Sequence, residues 1–358
     1  MKLIVDNIIY SIQKWGGISN YWSELRKGLL NNSDIDVSEL ELINKIISNN
    51  FKKDENFNTI KNSRLLVKAI ERYQNPFPEI NQPHLFHSSY YRYSKNPKSI
   101  NITTAHDFSY ELHFSGIKKY VHVTQKKKAL NNSDVIICIS NFTRDLMLNL
   151  YPELSDKRIE VIYNGVNSNE LLGNSKTSHP NLFSFENGEY ALYIGDRKAQ
   201  YKNFKLTCKA IEISKVPLII VGGGALTPDE FAMLENVKYQ HVIFATDQEL
   251  SFLYANALLL IYPSISEGFG IPLIEAQTLG CPIISTNNSC IPEIAGEGAL
   301  LVNKVDEFAL SDSINEISKS TQTRDELIRL GYQNAPRFSW NEMRRNTIEL
   351  YKDIGNGN

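Results

Sequence analysis

Two carboxylates, Glu267 and Glu275, bracket the run Glu267-Gly268-Phe269-Gly270-Ile271-Pro272, where the chemistry of this chain concentrates. Glycines let a backbone approach a ligand closely, and Pro272 suits the opening of a helix, whose first amides lack an intrahelical partner. Such amides attract an anion, and carboxylates accept hydrogen bonds from hydroxyls. Gly268, Phe269, Gly270 and Ile271 with the two glutamates therefore describe a sugar-phosphate site. Upstream, Arg197 and Lys202 flank a single loop. A planar guanidinium with a point-charge ammonium suits a diphosphate, and the charge that grows on it as a bond breaks, without a metal. In the first half, Lys14-Trp15-Gly16-Gly17-Ile18-Ser19 places Gly16 and Gly17 ahead of a helix, and Thr104-Ala105-His106-Asp107 puts His106 and Asp107 just past a strand.

The elements that must position these residues alternate strand and helix, the α/β pattern. Lys2 to Val5 reads as the first strand, Ser19 to Leu30 as an amphipathic helix, and a basic helix is expected near 62–73. Ser99 to Thr104, Asp134 to Ile139 and Arg158 to Tyr163 read as strands, with a helix over Asn141 to Leu150. Ser168 to Gly188, rich in Asn, Ser and Gly, reads as a linker. A second series follows: Tyr190 to Ile194, Pro217 to Val221, Val242 to Ala245, Ala257 to Tyr262 and Ile283 to Thr286. This spacing puts Glu267 in a loop and Glu275 in the first turn of the helix that Pro272 opens. Gly280 then falls at the C′ position, with Pro282 preventing continuation. The fold class expected is two doubly wound, Rossmann-like domains facing a cleft: residues 1–167, and 168–339 with a final helix in 340–358.

The stretch from Ser264 to Thr286, with Glu267 and Glu275 at E-x7-E spacing, resembles the signature of the retaining, GT-B-fold glycosyltransferases of the family 4 type. That resemblance implies a hexosyltransferase of bacterial surface polysaccharide (lipopolysaccharide, O-antigen) synthesis, using a GDP- or UDP-linked sugar as co-substrate with no further cofactor and no metal. Arg197 and Lys202, with the first glycine loop, would hold the donor diphosphate. His106, Asp107 and Glu267 would serve the reaction centre, and Glu275 the ribose. The final helix would pack back on the first domain. The resemblance also implies a carbohydrate acceptor, lipid-linked ones included, and a cytoplasmic enzyme that can sit at the inner face of the membrane. A catalytically silent sugar-nucleotide-binding protein of the same fold is the alternative.

Composition narrows the field. The 358 residues are 42% hydrophobic and 22% charged with a net charge of −2, ordinary for a globular chain. Residues 1–165 are net positive and the remainder net negative, with nothing that suggests nucleic acid. Lys61, Arg64, Lys68 and Arg72 at helical spacing, with Lys126, Lys127 and Lys128, suggest a face for an anionic membrane. Four scattered cysteines without a C-x-x-C pair argue against a zinc site or disulfide framework. Gly222-Gly223-Gly224 begins like a dinucleotide fingerprint, but Thr227 stands at its last glycine, which disfavours an NAD-dependent oxidoreductase.

Overall fold

The computed structural model describes residues 1–48, 57–63, 68–175 and 184–357. These form two compact units: Met1–Asn164 together with Trp340–Asn358, and Gly165–Ser339. The first unit holds strands β1 (Lys2–Val5), β2 (Asp36–Leu40), β3 (Asn58–Ile60), β4 (His84–Ser88), β5 (Ser99–Ala105), β6 (Val135–Cys138) and β7 (Arg158–Val161). They lie in the order β3-β2-β1-β4-β5-β6-β7, every pair parallel. The second unit holds β8 (Ala191–Ile194), β9 (Leu218–Val221), β10 (Tyr239–Val242), β11 (Leu259–Tyr262), β12 (Ile283–Thr286) and β13 (Leu300–Val302), in the order β10-β9-β8-β11-β12-β13.

The central strands are short runs of Leu, Ile and Val buried on both faces, as expected of parallel sheets covered by helices. Each sheet reverses its winding once, at β1/β4 and at β8/β11, and a doubly wound sheet binds ligands outside the strand ends at such a point.

Several boundaries differ from the sequence expectation. β10 runs Tyr239–Val242, and Ile243 and Phe244 are exposed, because the strand it pairs with among the described residues, β9, ends at Val221 in register with Val242. Ser168–Asn174 is a helix capped by the Asn167 side chain, so the first part of the expected linker is ordered; residues 176–183 lie outside the described ones. The basic helix expected over 62–73 is a 3₁₀ segment at Lys68–Tyr73, while Asn62 bridges to Pro78; Arg64, Leu65 and Leu66 lie outside the described residues. The final helix, Trp340–Gly355, belongs to the first unit. It meets the Gly17–Leu30 helix, where Arg344 bonds Glu24, and the Tyr351 hydroxyl lies 2.6 Å from His87 Nδ1.

Candidate active site

The glutamate region stands at the β8/β11 reversal of the second unit. β8 ends at Ile194 and is followed by Gly195 and then the single 3₁₀ turn Gln200–Lys202; Asn203 next adopts a left-handed conformation (φ 53°). Three contacts pin this loop to the one after β11. Asn203 Nδ2 donates to Pro263 O (2.8 Å), Ile265 N to Tyr201 O (2.9 Å) and Ser264 Oγ to Tyr201 O (3.4 Å). The result is an ion pair across the reversal: Lys202 Nζ donates to Glu267 Oε1 at 2.7 Å, with the side chains 17% and 14% exposed. Residues 65 apart in the chain thus share one crevice. The backbone of Glu267 is itself fixed, its N–H by Ser289 Oγ (3.2 Å) and its carbonyl by Cys290 Sγ (3.2 Å).

Gly270, at φ +89°, caps the Ile271–Thr278 helix. Pro272 stands at its second position, and Gly280 (φ +70°) follows its end. Because the helix starts at Ile271, Glu275 lies one full turn in, not in the first turn as the sequence suggested. The terminal amides are therefore out of its reach. Its partner is instead Tyr254, whose hydroxyl donates to Glu275 Oε2 at 2.8 Å. Burial pushes the Glu275 carboxyl above its usual range, and the Tyr254 bond offsets only part of that. Phe269 is buried and meets Phe338 edge to face at 5.6 Å.

Arg197 lies in the loop expected, but its side chain is engaged within the protein. Its side chain is fully buried. Nε donates to Glu230 Oε1 (2.9 Å), Nη1 to Gly222 O and His241 Nε2, and Nη2 to Gly224 O (2.9 Å) with longer contacts to Gly223 O and Ala225 O (3.4 Å each). A guanidinium has five N–H groups in a fixed fork, and here the fork is occupied by the protein. Glu230 also caps its own helix, Oε2 accepting from Thr227 N (2.7 Å). Its burial is outweighed by these bonds, and its carboxyl is held below the usual range. Lys202 is thus placed beside Glu267, and Arg197 is drawn into the base of the Gly222–Gly224 loop.

In the first unit, Gly17 is the exposed first residue of the Gly17–Leu30 helix and Gly16 its cap. A Cβ on Gly16 would overlap Gln13 Nε2, because the Gln13 side chain folds over to accept from Ser19 N at 3.1 Å. The glycine here makes room for a capping glutamine. His106 follows β5, buried against the edge of Tyr21 (centroids 5.0 Å), with no partner for Nε2. Burial lowers its pKa to about 4 despite Asp107 beside it. Asp107 is held below the usual range against its burial, chiefly by Lys126, and Oδ1 accepts from Ser109 N (2.8 Å).

Lys126 is buried, bonding Asp107 O (2.7 Å) and Glu111 Oε2 (2.9 Å), and Lys127 pairs with Glu153. Of the three lysines read as a membrane face, Lys126 is thus taken up by the interior, while Lys127 stays exposed in its ion pair. Arg72 lies over the rings of Tyr73 and Tyr90. Residues missed in sequence are the supporting ones: Tyr254, Tyr201, Ser289 and Glu230. Ser289 alone carried a signal, as a residue just beyond a buried strand.

Two doubly wound parallel α/β units with polar residues gathered at strand ends are the architecture of the GT-B glycosyltransferases. Two family profiles match consecutive parts of the chain: Glycosyltransferase Family 4 over residues 15–170, and Glycosyl transferases group 1 over residues 174–334. The chain belongs to this glycosyltransferase family. It is 27% identical to O-antigen chain mannosyltransferase B of Escherichia coli over 70% of each chain. It is 28% identical to the O-antigen chain mannosyltransferase RfbU of Salmonella typhimurium over 54% of this chain and 53% of that one. In fold it is similar to sucrose-phosphate synthase from Thermosynechococcus elongatus (TM-score 0.73, 17% identity, 100% and 99% covered). It is likewise similar to Anabaena HepE solved with UDP and glucose (TM-score 0.70, 16% identity, 98% and 99% covered).

Proposed function

We propose that this glycosyltransferase moves a hexose, with retention, from a nucleotide-diphosphate sugar to a carbohydrate acceptor in bacterial surface polysaccharide synthesis, without a metal. The observation that carries the reading is the Lys202–Glu267 pair at the β8/β11 reversal. An ammonium there can take up the charge that grows on a departing diphosphate, a task that is worth several kcal/mol to an enzyme. Glu267 holds Lys202 in place before the donor arrives and can then accept from sugar hydroxyls. Tyr254 occupies Glu275 Oε2, leaving Oε1 for the ribose. In the first unit, the neutral His106 offers Nε2 to a hydroxyl. In a front-face reaction the bond from the anomeric carbon to phosphate oxygen breaks, and the acceptor oxygen bonds to that carbon on the same face. The acceptor proton passes to the leaving phosphate oxygen.

The names of the E. coli and Salmonella relatives make mannose the first sugar to test and an O-antigen chain the first acceptor. Turnover of a panel of GDP- and UDP-linked hexoses, with the anomeric product assigned by NMR, tests the reading. An inverted product, or no turnover of any donor, would overturn it. For the membrane the better candidate face is the start of the Gly116–Asn131 helix. There Ile117 (83% exposed) and Tyr120 (72%) project beside the exposed Lys118. Co-sedimentation with anionic vesicles, lost in Ile117→Glu, checks it; no binding at low salt excludes this face.

A further inference from the structure

We propose that Arg197 is a positioning residue, which shapes the Gly222–Ala225 loop and, through Gly195, the place of Lys202, without itself touching the donor diphosphate. The proposal rests on the glycosyltransferase reading above and goes against the role that the Arg-then-Lys spacing suggests. Four consecutive carbonyls, of Gly222, Gly223, Gly224 and Ala225, turn toward one guanidinium. In a trans peptide the N–H points opposite to the C=O, so the amides of the same peptide units face away from Arg197. The loop can take this form because Gly222, Gly223 and Gly224 all have left-handed φ, at +86°, +75° and +71°. On the far side, the Arg197 fork is anchored by Glu230, which is itself locked into its helix cap at Thr227.

The loop's other neighbour carries the connection onward. A Cβ on Gly222 would lie 3.8 Å from Gly195 O, and a Cβ on Gly195 only 3.3 Å from Lys202 Cδ. Lys202 therefore runs over Gly195, and Gly195 rests on the loop that Arg197 holds. Movement of the loop would move the ammonium that meets Glu267. To reach a diphosphate, the guanidinium would have to abandon a buried carboxylate and at least two carbonyls, leaving them unpaired at a cost that one phosphate contact does not offset.

The test compares the full-length wild type with Arg197→Lys, Arg197→Ala, Glu230→Ala and the Arg197→Ala/Glu230→Ala double variant. GDP and UDP affinity is measured by calorimetry, and kcat and KM are measured for whichever nucleotide sugar the wild type turns over. Lysine keeps the charge but not the fork, so Arg197→Lys should lose as much as Arg197→Ala, on the order of tenfold or more in kcat/KM. Glu230→Ala should show a similar loss, and the double variant should lose no more than either single one. A direct phosphate ligand behaves oppositely. Glu230→Ala, by freeing the guanidinium, would then bind nucleotide as well as the wild type or better, and that result overturns the proposal, as would an Arg197→Lys enzyme of normal activity.

Should the arginine variants fail to fold, Gly223→Ala keeps every charge but drives a methyl to 2.5 Å from Arg197 Nη1. It should reproduce the donor defect, and normal turnover would overturn the proposal. A wild type that turns over no nucleotide sugar removes the functional reading and this inference with it. An active wild type with an equally active Arg197→Lys removes this inference alone.

Discussion

The two winding reversals have the same topology and opposite character. At β1/β4 the crevice is plugged by an ion pair with no exposure on either side: Arg92 Nε donates to Asp6 Oδ2 at 2.8 Å. Ser88 Oγ (2.7 Å), Ser89 N (2.8 Å), Ser89 Oγ (2.9 Å) and Ile8 N (3.3 Å) also donate to the carboxylate. At β8/β11 the ion pair, Lys202–Glu267, is partly open to solvent and has few other partners. The buried pair is closed to solvent, its carboxylate fully engaged although Arg92 Nη2 has no partner, whereas a half-open pair can exchange its internal partner for a substrate charge. Topology thus marks where a site can be, and the exposure of the charges there decides whether it is one.

The comparison breaks most sharply at the plug. Asp6→Ala leaves the Arg92 guanidinium buried without its counter-ion and should remove about 3–5 kcal/mol of stability, seen as a lower urea midpoint. Its carboxyl is held below the ordinary range, Arg92 and the serine bonds outweighing burial. The stability it contributes is therefore present above the unfolded carboxylate range and is lost as pH falls through the folded value. Lys202→Ala should do the reverse: a small stability change, since its pair is partly solvated, and a fall in turnover of about 10²–10³-fold. A Lys202→Ala enzyme with near-normal kcat would end the claim that the open reversal is the active one.

Glu275 comes next. Glu275→Ala should raise the nucleotide Kd by about tenfold while changing kcat less, because a ribose contact is made equally in ground and transition states. Its raised carboxyl pKa gives a pH signature: the folded state favours the protonated form, so the carboxylate that accepts from ribose is lost earlier on acidification than in an exposed glutamate. Calorimetry against pH should show nucleotide affinity falling toward acid above the usual carboxylate range in the wild type, and no such step in Glu275→Gln. The smallest effect belongs to His106. With its pKa lowered to about 4, the ring stays neutral through pH 5–8, and its contribution to stability is present above about 6.5 and lost as pH falls toward 4. An NMR titration of the ring should show no charging step near 6.5. Turnover is further expected to survive EDTA; loss that magnesium restores would refute the metal-free reading.

Fold and site were legible to different depths. Buried strands such as Leu218–Val221 and Ile283–Thr286 declared themselves as short apolar runs, and glycines with Pro272 and Pro282 marked where chain direction changes. The edge strand β10 did not, because Tyr-Gln-His-Val lacks the apolar signal and its extent depends on its neighbour. The places of Glu267, Lys202, Gly16 and Gly17, and His106-Asp107 at strand ends and helix starts were readable because local rules operate there, whereas Glu275 fell a turn deeper than expected.

What the sequence by itself determined, then, was the alternation of strands and helices and the set of chemically able residues at their junctions, since hydrophobic period and turn chemistry act over a few residues. Only the tertiary structure decided which of those groups keep a free valence. Arg197 and Lys202 lie in one loop and carry the same charge, yet one is spent on Glu230 and four carbonyls and the other stands beside Glu267. That outcome depends on groups 25 to 65 residues away in the chain, whose distance in space no local pattern encodes.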